Sequence, residues 1–486
     1  MHSKSGVLSK KIVLGILVLA TMMVGVDSTV VLLAFPTIVN DLNSNFLTII
    51  WVILVYLLIV TVCTTQLGRI GDLFGRARIF NLGFLIFTIS SFACGISPTD
   101  IFLIASRGFQ AAGGAMMTAN SGAIIADVFK PEERGHAFGF TSMGWNVGAI
   151  LGIVLGGVIT TFFGWRYIFF INIPIGTIAF ILGWKYIRDN IRIKGKMDLI
   201  GMMIFGVAIL SLSYGAINSI ASTFSNLDLA MIVGGAFAIP VFVFWELRAK
   251  SPMLDLRQFK NKILRSSILA ALFQSLGYLA IAFLIIMYMQ GVRGLSPLNA
   301  SLILIPGYVL SGFLAPFMGG LADKYGARII ATLGILLMCI AILIYLNLTA
   351  TLSYYVSIII AASVVSGIGS AMFFPSNNRA VMANAQPGAY GATNGLLRTV
   401  GSLGIMFSFV LVISIAAYSI PKNDAFQIFI GTSKLIGNVS SAFMSGVHAA
   451  LYLALLILII AGILSFARGR DSTTVSDGKK RARQTH

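Results

Sequence analysis

Long apolar stretches alternate along this chain with short connections that are polar, glycine-rich or basic. A helix needs about 20 mostly apolar residues to cross a bilayer. By that ruler fourteen stretches qualify: 11–35, 47–67, 79–97, 101–125, 136–161, 166–186, 198–217, 228–247, 265–290, 298–320, 328–348, 353–374, 390–418 and 442–466. The first is too long for the apolar core of a signal peptide, and no small-residue cleavage site follows it. It reads as a retained span.

Composition agrees with the pattern. Of 486 residues, 57% are hydrophobic and 10% are charged, where a soluble chain carries about 25% charged residues. The net charge of +18 would suggest nucleic acid in a soluble protein. Here the loops explain it. With the N-terminus cytoplasmic, all but six of the 34 Lys and Arg residues fall on the cytoplasmic side. The exceptions are Arg166, Arg293, Lys422 and Lys434 in outer loops, and Arg107 and Arg398 inside spans. Such an excess orients the helices and sits beside anionic lipid. Both ends are expected inside the cell membrane, with residues 471–486 a basic cytoplasmic tail. Trp51, Trp165, Trp184 and Trp245 lie near span ends, where an aromatic belt would place them.

The chain repeats itself. The loop after span 2 reads Gly68-Arg69-Ile70-Gly71-Asp72-Leu73-Phe74-Gly75-Arg76-Ala77-Arg78, and the loop after span 10 reads Gly319-Gly320-Leu321-Ala322-Asp323-Lys324-Tyr325-Gly326-Ala327-Arg328. Gly68, Asp72 and Gly75 match Gly319, Asp323 and Gly326 at one offset. Gly113-Gly114-Ala115-Met116 is similar to Gly369-Ser370-Ala371-Met372. Two six-span halves, residues 1–190 and 262–470, account for this, with a two-span insertion at 191–261. Duplicated halves around a midplane site are typical of secondary transporters.

These motifs resemble the major facilitator superfamily, and within it the fourteen-span drug:proton antiporter branch. The loop 68–78 is similar to the family's signature loop. Arg107-Gly108 with Gln110 and Gly113-Gly114 resembles its span-4 motif. Asp27-Ser28-Thr29-Val30-Val31 through Ala34-Phe35-Pro36 resembles the span-1 motif of the branch. Pro252-Met253-Leu254-Asp255-Leu256 and Phe259 resemble its stretch before span 9, and Arg398-Thr399-Val400-Gly401-Ser402-Leu403-Gly404 its span-13 pattern. The resemblance implies an all-α membrane protein with the major facilitator fold: two pseudo-symmetric six-helix bundles plus two inserted helices. It further implies alternating access, with proton entry driving export of a hydrophobic or cationic compound. No cofactor is expected, a proton gradient being the energy source. The expected partners are a small-molecule substrate, protons and membrane lipid, with no nucleic acid, and the chain is expected to act as a monomer.

Ionisable residues inside a membrane are costly and are functional candidates by default. Asp27 lies about 10 Å and Arg107 about 9 Å below the outer end of their spans at 1.5 Å per residue. At similar depth the two are expected to pair, either as a static bridge or as a coupling site in which Asp27 faces the central cavity and exchanges Arg107, a proton and substrate. The acidic and basic positions corresponding to these are linked to coupling in the related antiporters. Arg398 has no acid at its depth in the second half. Backbone carbonyls, Asn377, Asn394 or an anionic group are its candidate partners.

At the cytoplasmic side Asp127, Glu132, Glu133 and Arg134 close span 4. With Gly68, Asp72, Gly75, Arg76 and Arg78, and with Asp323, Gly326 and Arg328 of the second loop, they read as a charge cluster that holds one conformation closed, or else as scattered surface pairs. Gly144, Gly148, Gly152 and Gly156 recur at spacing four along span 5. They form a helix-contact stripe, with a sliding surface between the halves as its functional reading. Where the family usually has a proline after the third glycine this chain has Ile153, a departure that weakens the implication of antiport. Substrate-contact candidates are Asn120, Trp145, Asn146, Gln274, Tyr278, Gln290, Tyr308, Asn377, Asn394 and Arg398.

Other chemistry finds no motif. There is no GxxxxGK[ST] phosphate loop, no HExxH or spaced Cys/His cluster, and no Gly-x-Ser-x-Gly elbow, so an enzyme is not expected. Cys63, Cys94 and Cys339 read as buried thiols, and His448 as a hydrogen-bonded packing residue. A facilitative or proton-linked importer, and a receptor or scaffold that does not transport, are the rival readings.

Overall fold

The computed structural model describes residues 2–44, 46–129, 131–189, 198–221, 225–250, 252, 254, 256–385, 390–418 and 438–469. Among these residues fourteen long helices follow the fourteen apolar stretches in order. The first six are α1 (His2–Asp41), α2 (Trp51–Phe74), α3 (Arg76–Gly95), α4 (Asp100–Val128), α5 (Pro131–Phe162) and α6 (Asn172–Tyr186). An inserted pair follows, α7 (Leu199–Ala221) and α8 (Asn226–Arg248). The last six are α9 (Lys262–Met287, continued by a π-helical turn to Val292), α10 (Pro297–Tyr325), α11 (Ala327–Tyr345), α12 (Tyr355–Ala383), α13 (Tyr390–Tyr418) and α14 (Asn438–Ala467). Short helical turns at Phe46–Ile49, Tyr167–Phe170 and Leu256–Lys260 join some of them.

Among the described residues thirteen helices are long and apolar enough to cross a membrane. The exception is α4, whose 29 residues include Ser106, Arg107, Gln110 and Asn120, all buried. The polar positions that lower its hydropathy face protein, so α4 completes the set. The chain is a multi-pass membrane protein. Large apolar side chains such as Phe237 on α8 and Phe313 on α10 are about 70% exposed, as lipid-facing positions require.

Local signals set the helix ends. Thr99 Oγ1 accepts from Phe102 N at 3.3 Å and starts α4. Ser225 and Asp228 form a capping box at α8: Asp228 N donates to Ser225 Oγ at 3.1 Å, and Ser225 N donates to Asp228 Oδ2 at 2.9 Å. Gly75 (φ +114°) and Gly326 (φ +90°) turn the chain sharply between α2 and α3 and between α10 and α11. Both torsions lie where a side chain would be strained, so the two repeated loops use their glycines alike.

The chain divides into two compact units. Unit 1 holds Met1–Asp255, Ile285–Leu302 and Ile420–Ser440, and unit 2 holds the rest. The end of α9 and the first turn of α10 therefore cluster with unit 1, where Gln290 Nε2 donates to the Leu33 carbonyl of α1 at 3.3 Å. The inserted pair also belongs to unit 1. There Trp245 Nε1 donates to the Asp198 carboxylate at 2.9 Å, and Gln66 of α2 donates to the Asp198 carbonyl at 3.3 Å. Of the belt tryptophans, Trp184 is exposed while Trp165 is buried, because its ring nitrogen is drawn in to donate to Asp41 at 3.0 Å.

The internal repeat recurs as packing. In unit 1, α3 and α4 touch at Gly83 and Gly113, where an added Cβ on Gly83 would lie 2.8 Å from the Gly113 carbonyl. In unit 2, α11 and α12 touch at Gly334 and Gly369, with the matching distance 2.6 Å. The glycine-mediated crossing is thus built twice.

Candidate functional site

Four helices of unit 1 and the segment before a fifth enclose one charged pair. Arg107 Nη1 on α4 donates to Asp27 Oδ2 on α1 at 2.6 Å. The Asp27 side chain is 0% exposed and that of Arg107 3%. Burial of two charges is tolerable only when their remaining hydrogen-bonding capacity is also met, and here both carboxylate oxygens and the Nε and Nη1 donors of the guanidinium have partners. Gln110, one turn along α4, donates to Asp27 Oδ1 at 2.9 Å and to Ser91 Oγ of α3 at 2.8 Å, while its Oε1 accepts from Arg107 at 2.6 Å. Arg107 Nε donates to the Val52 carbonyl of α2 at 3.2 Å. Its guanidinium lies 4.4 Å from the Tyr56 ring centroid and 5.7 Å from that of Phe169, both favourable cation–π contacts. Asn172, at the start of α6, stands beside the carboxylate.

The arrangement allows a partner exchange. A proton on Asp27 removes the charge that Arg107 faces, and the guanidinium still retains the Val52 carbonyl and Gln110 Oε1. Asp27 does not face an open cavity in this conformation, since the pair is sealed inside unit 1. Tyr56, Ser91, Asn172 and the bridging role of Gln110 were not foreseen from sequence. The Arg-x-x-Gln spacing, which puts both residues on one helix face, was the available signal.

The glycine stripe explains how α1 reaches this position. Gly144, Gly148, Gly152 and Gly156 of α5 all lie against the α1 backbone. A Cβ on Gly152 would sit 2.5 Å from the Val26 carbonyl, and one on Gly156 3.0 Å from that of Val30. At Gly148 it would overlap the Met22 carbonyl oxygen. Thr29 Oγ1 then bonds across to the Ala149 carbonyl at 3.0 Å. The stripe therefore packs within unit 1, not on a surface between the halves. Its glycines are consumed by the helix that carries Asp27. Ile153, in the place of the family's proline, is fully buried in an uninterrupted α5.

At the basic end of unit 1, Arg76 gathers two carboxylates, Asp72 at 2.7 Å and Asp127 at 2.7 Å. Arg78 does not join them. Its side chain is exposed, and its backbone N–H, with that of Ala77, donates to Asp189 instead, at 3.3 and 2.7 Å. Asp189 follows α6 and caps the start of α3, where carboxylates are favoured by the unpaired N–H groups and the helix dipole. It also fills the space beside Gly75. Asp189→Ala is expected to cost about 1 kcal/mol, the usual worth of an N-cap, seen as a lower unfolding midpoint in detergent. Asp189→Asn, which keeps an accepting oxygen, should retain most of the stability.

The second loop is held differently. Arg328 lies 4.2 Å from the Phe466 ring centroid of α14 and makes no carboxylate pair among the described residues. Arg379 donates to the Ala322 carbonyl near the end of α10. Arg468, assigned from sequence to the cytoplasmic end, is fully buried. It donates to the Ala327 carbonyl, to Asn377 Oδ1 at 3.2 Å and to Ser267 Oγ at 3.4 Å. Asn377 is thereby taken by Arg468 and is not a partner of Arg398.

The remaining candidates fall in several places. Asn120 is a brace: its amide donates to the Leu67 and Met116 carbonyls at 3.3 and 2.9 Å, tucked over Gly71. Gly68 lies alongside, against Ala119. Trp145 packs on the apolar core of unit 1. In unit 2, Gln274 is fully buried with only Met338 Sδ, at 3.6 Å, near its amide nitrogen, and its Oε1 has no hydrogen bond. Tyr278 bonds Ser366, with Tyr308 and Tyr345 close by. Arg398 is exposed. The side chains of Arg134, Asn146, Asp323 and Asn394, and the tail, lie outside the described residues. His448 Nε2 sits 2.9 Å from the Leu348 carbonyl, a packing contact.

Known proteins agree with this architecture. The chain is 31% identical over 420 residues to the riboflavin transporter RibZ of Clostridioides difficile, covering 86% of this chain and 91% of that one. It is 28% identical over 473 residues to multidrug resistance protein 3 of Bacillus subtilis, covering 94% and 90%. Among solved structures, a bacterial homologue of the human lysosomal transporter Spinster superposes with a TM-score of 0.62 at 19% identity, covering 96% of this chain and 98% of that one. A family model for the Major Facilitator Superfamily matches residues 17–409. With fourteen membrane helices, duplicated loops and that match, the chain belongs to the Major Facilitator Superfamily and is a transporter, not an enzyme.

Proposed function

We propose that this transporter couples proton entry to the export of hydrophobic or cationic small molecules by alternating access. It would act as a monomer in the cell membrane with both termini cytoplasmic. The observation that carries the reading is the sealed Asp27–Arg107 pair, an ionisable site within the membrane spans. A buried charge of this kind marks a proton or substrate pathway by default. The chain from 262 to 470 has only Asp323 and Asp424 as acids, and neither belongs to a span interior. Proton coupling is accordingly assigned to the first half. The Arg76–Asp72–Asp127 cluster is the proposed lock of one end state, and residues 1–190 and 262–470 the proposed rocking bundles, with 191–261 as a peripheral pair. Relatives named for multidrug and methyl viologen resistance support export.

A relative named as a riboflavin transporter favours a second reading, movement of one defined organic solute. One experiment separates them. Purified protein in proteoliposomes is given riboflavin or methyl viologen under an imposed pH gradient. Antiport requires accumulation when the lumen is acid, because leaving protons exchange for entering solute. Accumulation only with an alkaline lumen would establish symport and end the export reading.

A further inference from the structure

In unit 2, Arg398 has no hydrogen-bond or ion-pair partner among the described residues. Arg398 lies eight residues into α13, about 12 Å along the helix at 1.5 Å per residue, within the apolar window Gly395–Val412. Its side chain is exposed, and no described residue hydrogen-bonds or ion-pairs with it. Its neighbours in chain order, Leu396, Leu397 and Thr399, are all buried, so the open sector of the helix is narrow. Gly401, one turn on and on the same face, borders open space: a Cβ there would meet nothing within 4 Å. Arg328, Arg379 and Arg468 have each been given a ring or a carbonyl. Arg398 alone among these four has neither.

A guanidinium inside a span is tolerated where it faces water or a counter-charge, not hydrocarbon. Arg398 is exposed beside the open space at Gly401, so by that rule this side of α13 is taken to face water and not hydrocarbon. The guanidinium's planar fork of donors matches carboxylate, sulfonate and phosphate oxygens two at a time. We propose that Arg398 receives the ionised acid group of the transported molecule. The substrate range would then extend beyond hydrophobic and cationic compounds to amphipathic anions and zwitterions. This rests on the transporter reading above and adds a substrate class to it.

The test uses the full-length protein in detergent with no pH gradient. Binding of carboxyfluorescein, an anionic dye, and rhodamine 6G, a cationic dye of similar ring system, is followed by fluorescence polarisation. Arg398→Gln is expected to weaken carboxyfluorescein binding roughly tenfold or more, the usual scale for a lost hydrogen bond to a charged group, and to leave rhodamine 6G binding unchanged. Arg398→Lys, which keeps the charge, should retain most of the anion binding and controls for folding. Equal carboxyfluorescein binding by the native protein and Arg398→Gln would overturn the proposal, as would an equal loss for both dyes. Anion binding that survives alongside absent gradient-driven flux would instead count against proton coupling alone.

Discussion

Asp27→Asn is expected to abolish gradient-driven substrate movement in proteoliposomes while leaving exchange of labelled for unlabelled substrate across the same membrane. The amide is nearly isosteric with the carboxylate, and its oxygen can still accept from Arg107 Nη1, now 2.6 Å from Asp27 Oδ2. What disappears is the group that can gain and lose a proton. Unchanged coupled flux in this variant would remove Asp27 from the mechanism. Asp27→Ala tests the energetics of the same pair. It leaves a guanidinium with 3% exposure facing a void, and breaking a buried pair from one side costs about 3–5 kcal/mol. The Asp27→Ala/Arg107→Ala double variant should be less destabilised than the two single losses added together, since no charge is then left uncompensated. Unfolding midpoints of the four proteins in detergent provide the cycle, and strict additivity would mean that the two residues are not energetically coupled.

Gly148→Val is expected to have the largest structural effect of any single change on the α1–α5 crossing. The added Cβ would overlap the Met22 carbonyl oxygen and approach the Met22 Cα to 2.9 Å. Both are backbone atoms, which cannot turn aside as a side chain can. Overpacking a tight contact typically costs about 1–3 kcal/mol, and a contact made by backbone lies at or above the upper end of that range. The cost should extend to function, because α1 carries Asp27 and cannot separate from α5 without also moving away from Arg107. Gly15→Ala and Gly234→Ala are the internal controls, since a Cβ at either meets nothing within 4 Å. They should fold as the native chain does. Comparable losses of folded protein in all three variants, measured by size-exclusion chromatography in detergent, would show that the close approach at Gly148 is not what matters.

Several features were legible because they depend only on neighbours along the chain. Fourteen spans and the repeated glycine-rich loops that turn at Gly75 and Gly326 follow from local composition. The match of Gly113 to Gly369 pointed to two repeated halves, and the structure shows that each of these glycines sits at a helix crossing. The pairing of Asp27 with Arg107 came from depth alone, because two lone charges at one level of a membrane leave few alternatives.

The partners of most other polar residues could not be read in this way. A soluble helix shows its buried side as an apolar stripe, but a membrane helix is apolar on its lipid face as well, so its pattern does not mark which face meets protein. For that reason the glycines at 144, 148, 152 and 156 announced a contact without saying that α1 would fill it. Asn120 and Asn377, polar positions in spans, were equally compatible with a cavity and with the helix braces they form. Arg398 and Arg468 differ little in local composition, yet the fold buries the residue at the helix end against the Ala327 carbonyl and leaves the residue within the span open. By itself the sequence determined that this chain crosses a membrane repeatedly, with a duplicated plan and few internal charges, because hydrophobic length and charge cost are local quantities. Only the tertiary structure decided which of those charges are satisfied by protein and which are not, because that depends on which helices, far apart in the chain, come to lie side by side.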